Sequence, residues 1–153
     1  MKRNFLVLAI LTILLIANTS GFANGKGFGL GLIIGEPTGI SMKGWLNQKS
    51  AIDVGLAWSF TKKTSLHIHA DYLLHSYNVF ETSEPIPLYY GIGGRIKVGD
   101  DEKSRIGARM VIGIEYIFKN APVDLFLEVA PILDLVPETE LSFNAGFGAR
   151  FFF

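Results

Sequence analysis

The sequence predicts an all-β fold: an eight-stranded, antiparallel, up-and-down transmembrane β-barrel with a polar interior filled by side chains. Three observations carry that expectation. Seven turn-like clusters cut the chain into eight segments of period-two hydropathy, none of them with a convincing helical period. Each segment has one apolar face and one small or polar face. Every charge inside the segments falls on the polar face.

The separators are GEPTG (35 to 39), NQK (47 to 49), TKKT (61 to 64), NVFETSEPIP (78 to 87), GDDEKS (99 to 104), KNAP (119 to 122) and VPETE (136 to 140). All are rich in the residues that turns favour, because Gly reaches unusual φ, Pro presets φ, and Asn, Asp and Ser bond their own backbone. Between them, the first segment sets Phe28, Leu30, Leu32 and Ile34 against Gly27, Gly29 and Gly31. The second opposes Ile40, Met42 and Leu46 to Ser41, Lys43 and Trp45, and the third opposes Ile52, Val54, Leu56, Trp58 and Phe60 to Asp53, Gly55, Ala57 and Ser59. In the fourth, Leu66, Ile68, Ala70, Tyr72 and Leu74 face away from His67, His69, Asp71, Leu73 and His75. The fifth separates Leu88, Tyr90, Ile92, Gly94, Ile96 and Val98 from Tyr89, Gly91, Gly93, Arg95 and Lys97.

The last three segments are longer. In the sixth, the alternate positions from Ile106 to Phe118 are apolar, while Arg105, Arg109 and Glu115 lie opposite. In the seventh, Val123, Leu125, Leu127, Val129, Pro131 and Leu133 oppose Asp124, Glu128 and Asp134. The eighth places Leu141, Phe143, Ala145, Phe147, Ala149, Phe151 and Phe153 on one face and Arg150 on the other. Pro131 lacks the N–H that a closed sheet needs, so a bulge or an early strand end is expected towards the rim that holds Trp58 and Phe143.

Charge decides which face is outside. The 12 charged residues within segments are six acids and six bases, and all share the glycine-rich face. A lipid-exposed Lys or Arg at mid-depth costs about 2 to 4 kcal/mol, so the uncharged face is read as the lipid-facing one. Glycine crowding suits a tightly curved interior that must also hold large charged side chains. The apolar-face aromatics gather at segment ends in two belts. Phe28, Tyr90, Tyr116, Phe118, Phe151 and Phe153 lie towards one rim, and Trp58, Phe60 and Phe143 lie towards the other. A soluble lipocalin-like carrier is the inverted alternative, with its apolar face lining a cavity.

Composition sets the remaining bounds. At 153 residues the chain makes one domain, and 14 basic residues balance 14 acidic ones, which gives no electrostatic footprint for nucleic acid. The absence of cysteine excludes disulfides, thiolate chemistry and a lipoprotein anchor. Lys2 and Arg3, the apolar run of 13 residues from Phe5 to Ala17 and the small residues after it read as an export signal. The expected domains are a signal peptide over 1–23, cleaved after Ala23, and a barrel over 24–153.

An eight-stranded barrel is only wide enough for its own side chains. Here the inward set is six acids, six bases and three histidines, so the lumen reads as a plug and not as a diffusion pore. Asp71, Arg95, Arg109, Glu115, Glu128 and Arg150 are expected to pair across it as a structural charge network. The most site-like stretch is HIHAD followed by His75. His67, His69 and Asp71 share a face at i, i+2 and i+4, a spacing open to metal binding, to carboxylate-oriented catalysis, or to plain hydrogen bonding in a polar core. The last is favoured, so no catalytic, cofactor or metal residue is assigned, and His67, His69 and His75 stand as a polar cluster.

With its export signal, about 130 mature residues, alternating strands and terminal phenylalanine, the chain resembles the small outer-membrane barrels of the OmpA and OmpX type. The stretches GEPTGISMKGW, HADYLLH, LYYGIGGR and APILDLVPET are similar to an uncharacterised bacterial family of such barrels. The resemblance implies the bacterial outer membrane and its lipid as surroundings, and a non-enzymatic structural or surface-interaction role. It further implies that the barrel-assembly machinery reads the last strand through Phe153. A monomer is expected, with an unidentified extracellular ligand as the open partner. The alternative activity is modification of membrane lipid by His67, His69 and Asp71 near the outer leaflet; acyl transfer would need a serine beside them, and Ser59 and Ser65 lie on inward faces without any sign in the sequence that they meet that group.

Overall fold

The computed structural model describes residues 26–36, 38–59, 64–99 and 103–153; the expected signal peptide, its cleavage after Ala23, and Phe60 lie outside them. Eight strands follow one another: β1 (Phe28–Glu36), β2 (Thr38–Trp45), β3 (Ser50–Ser59), β4 (Ser65–Ser76), β5 (Leu88–Gly99), β6 (Arg105–Ile117), β7 (Val123–Val136) and β8 (Glu140–Phe152). Each pairs antiparallel with its sequence neighbour, and β8 returns to β1 to close the barrel. The closing seam runs from Gly29 opposite Phe152 to Glu36 opposite Ala145. It is extended by the Phe153 N–H, which donates to the Phe28 carbonyl at 2.9 Å.

The alternation read from the sequence becomes an inside and an outside. In β4, the pattern from Ser65 to His75 is strictly buried then exposed, with the histidines and Asp71 in and Leu66, Ile68, Tyr72 and Leu74 out. Leu32, Ile92, Met110 and Phe143 on other strands are each more than 60% exposed, which no water-soluble core would leave so. A lipocalin-like arrangement is the reverse of this one. The barrel is instead that of a transmembrane sheet, closed so that no backbone edge meets lipid. The described members of both aromatic belts lie on the outer face, and within one belt Tyr116 packs edge-on to Phe118 and Phe151 to Phe153.

Three connections lie at the end of the barrel that holds both ends of the described chain, here the terminal end. The longest of them, after β4, is not a free loop. The carbonyls of Pro85 and Pro87 accept from the N–H groups of Ile117 and Glu115, so this segment prolongs the pairing of β6. Ile117 and Phe152, packed with Trp45 and Tyr77, close the lumen at this end. Tyr77 donates its hydroxyl to the Gln48 carbonyl, and burial pushes the phenol up to about 12, helped by the Glu115 charge.

Of the two outcomes expected around Pro131, the structure shows the bulge and not the early strand end. β7 does not end early; it runs on to Val136 with Pro131 opposite Phe143 of β8. Towards β6 the pairing passes from Arg109–Ile132 to Ile112–Val129, so the missing N–H is absorbed by a local gap in one ladder. The register shift lies further along, between Ile106–Val136 and Gly107–Asp134, where Leu135 is the extra residue.

Candidate functional site

The lumen is built by a simple packing device: a large inward side chain lies over a glycine on the next strand. A Cβ at Gly55 would come within 2.1 Å of the His69 ring, and one at Gly113 within 2.3 Å of the Tyr89 ring. Register puts Gly55 opposite His69 and Gly113 opposite Tyr89, so side-chain size alternates across each pair. Ten charged residues are thereby buried in a space that also holds the apolar cluster of Ile33, Leu73, Tyr89, Val111, Phe126 and Ala130.

At the terminal end, the Lys43 ammonium donates to both Glu115 oxygens, at 2.6 and 2.8 Å, and to His75 Nε2 at 2.8 Å. The His75 ring therefore accepts at Nε2 and carries its proton at Nδ1, which lies 3.2 Å from the Lys49 carbonyl. Lys43 also sits 4.1 Å from the Trp45 ring centre, a cation–π contact in a dry site. Arg150 is the hub. Its guanidinium reaches Asp124 at 3.0 Å, Asp53 at 2.9 Å and Glu115 at 3.2 Å while lying over the Phe126 ring. The planar five-donor fork of arginine permits such branching; a lysine has no equivalent.

In the middle, Arg109 bridges Asp71 and Glu128, donating to each at 2.7 Å, and the Tyr89 hydroxyl donates to the other Glu128 oxygen at 2.8 Å. Asp53 and Asp71 are direct cross-strand neighbours, a like-charge pair held on opposite sides by Arg150 and Arg109. Towards the other end, Arg95 forks onto both Asp134 oxygens and the Ser142 hydroxyl. Arg105 joins Asp134 to Glu140 at the rim.

Of the six residues expected to pair, the structure joins Asp71 and Glu128 through Arg109, and Glu115 to Arg150. Arg95 pairs outside that set, with Asp134. Lys43, Asp53, Asp124 and Asp134 complete the network. Their inward parity was visible, but nothing in a period-two pattern says which inward charges lie at the same height. The histidines are divided. His75 belongs to the Lys43 group, whereas His67 and His69 contact each other edge-on at 5.5 Å. His69 faces Asp53 at 3.8 Å, and His67 Nε2 has no hydrogen-bond partner. Ser59 and Ser65 are cross-strand neighbours, but the inward serines bonded to the described network are Ser41 and Ser142.

Summed by height, acids and bases in the network are not evenly matched. The terminal and middle groups contain five carboxyl groups, on Asp53, Asp71, Glu115, Asp124 and Glu128, against three fixed cations, Lys43, Arg109 and Arg150. Among the described residues, the other end groups Arg95, Arg105 and the part-exposed Lys97 around Asp134 and Glu140.

No protein-family model matches the chain, and no curated protein matches it. Among solved structures, it is similar to the N-terminal β-barrel domain of Pseudomonas aeruginosa OprF. The two are 14% identical with a TM-score of 0.57, covering 82% of this chain and 95% of that one. It is similar also to Neisserial surface protein A (NspA), at 15% identity and a TM-score of 0.55, covering 82% of this chain and 93% of that one. Identity this low carries the architecture and nothing of the lumen's chemistry: the chain shares the closed small-barrel fold of these two proteins.

Proposed function

We propose that the chain is an integral barrel of the bacterial outer membrane with a structural or surface-interaction role, and neither a pore nor an enzyme. One observation supports this above the others: the buried charges point inward and pair, while the outward face of the strands is an apolar band between two aromatic belts. That surface is matched to lipid, and among the described residues that interior is filled by its own paired side chains. The fold shared with OprF and with NspA, by name a surface protein, supports the same setting. Nothing in the described lumen favours the lipid-modifying alternative, since the inward serines found in hydrogen bonds contact arginine rather than histidine.

Refolding into phospholipid vesicles and electrophoresis in SDS with and without heating test the reading. The unheated barrel should migrate faster than the boiled chain and resist protease. A monomer that stays soluble without detergent, with one mobility, would refute it.

A further inference from the structure

From the geometry we infer a divalent-cation site of the zinc type in the middle of the lumen, formed by Asp53, His69 and Asp71. One donor atom from each of the three lies within 4.8 Å of the others, and all three residues are at least 95% buried. The set crosses two strands, Asp53 on β3 opposite Asp71 on β4, with His69 two residues before Asp71 on the same face.

Each aspartate has one oxygen committed to an arginine. Asp71 gives Oδ2 to Arg109 and leaves Oδ1 buried without a partner. Asp53 gives Oδ1 to Arg150, while Oδ2 faces His69 Nε2 at 3.8 Å, beyond hydrogen-bond length. His69 is buried with Nδ1 unpartnered. Orphaned polar atoms on neighbouring buried residues are rare in a satisfied core.

Charge points the same way. The surrounding groups hold more carboxyl groups than fixed cations, and a cation bound among them offsets part of that excess. His75 is a poor source of the missing charge, because the Lys43 ammonium already donates to its Nε2. Two carboxylates and an imidazole form a donor set that zinc accepts at about 2.0 to 2.2 Å, leaving its fourth position free. His67 stands outside the set, so the grouping is not the i, i+2, i+4 trio that the sequence suggests.

The test is metal stoichiometry. The whole barrel is refolded in detergent micelles with zinc chloride, desalted, checked for the heat-dependent gel shift, and analysed by mass spectrometry for zinc. About one zinc per wild-type barrel is expected, retained in His67→Gln and lost in His69→Gln and Asp71→Asn. Zinc should also raise the wild-type urea midpoint. Folded wild type that retains no zinc overturns the site, whatever the variants do. Equal retention by folded His69→Gln and Asp71→Asn overturns it as well, by placing the metal elsewhere.

Discussion

Replacing Arg109 with methionine removes one cation and leaves two carboxylates behind. Arg109 is 1% exposed and donates to Asp71 and Glu128 at 2.7 Å each, so no water stands ready to take its place. Glu128 keeps the Tyr89 hydroxyl, whereas Asp71 already has one orphaned oxygen and loses the partner of the other. Breaking a buried pair by deleting one member costs about 3 to 5 kcal/mol, because a charge is stranded. With a urea slope of about 2 kcal/mol/M, the unfolding midpoint in lipid should fall by about 2 M. Methionine fills much the same volume, so packing loss contributes little. The decisive comparison is the triple variant Arg109→Met, Asp71→Asn, Glu128→Gln, which removes the stranded charges as well. It should recover most of the loss, since the penalty belongs to unpaired charge and not to the absent ion pairs. Equal midpoints for wild type and Arg109→Met, or a triple variant no better than the single, would refute this account.

Two further outcomes follow from the wall of the barrel. Leu127→Arg puts a charge at mid-height on the lipid face and should cost about 2 to 4 kcal/mol in urea unfolding from vesicles, with little cost for Leu127→Ala at the same position. Gly55→Ala should cost about 1 to 3 kcal/mol, because the new methyl needs the space of the His69 ring, and the combination with His69→Ala should cost less than the sum of the two single changes.

The strand count and the two faces were legible because a barrel wall is the one architecture in which parity alone assigns every side chain. Asp53, Asp71 and Asp124 were placed inside by parity, and the structure buries them there. Partner choice was not legible, because it depends on the stagger between strands. Arg95 lies opposite His69 on one adjacent strand yet reaches over Gly107 on the other to Asp134 of β7. The bulge expected near the rim after Pro131 is present, but its exact position was not legible either. A missing N–H interrupts only the ladder it would have served, so the strand continues on the strength of its other neighbour, and the bulge falls at Leu135 instead. Overall charge balance was legible too, but its unequal division along the barrel axis required heights that parity does not contain.

Arg150 carries a consequence for the order of assembly. It lies on the final strand, and its partner Asp53 precedes it by 97 positions, Ser41 by 109. Until that strand arrives, Asp53, Asp124 and Glu115 have only Lys43 among them as counterion at the terminal end. Seven strands therefore make an electrostatically unfinished object, and the eighth delivers both the last hydrogen-bonded seam and the cation that the interior lacks. Closure and the arrival of the cation that three of these carboxyl groups share are one event, which makes a partly closed barrel a poor resting place and ties the eighth strand to the moment at which the whole becomes stable in lipid.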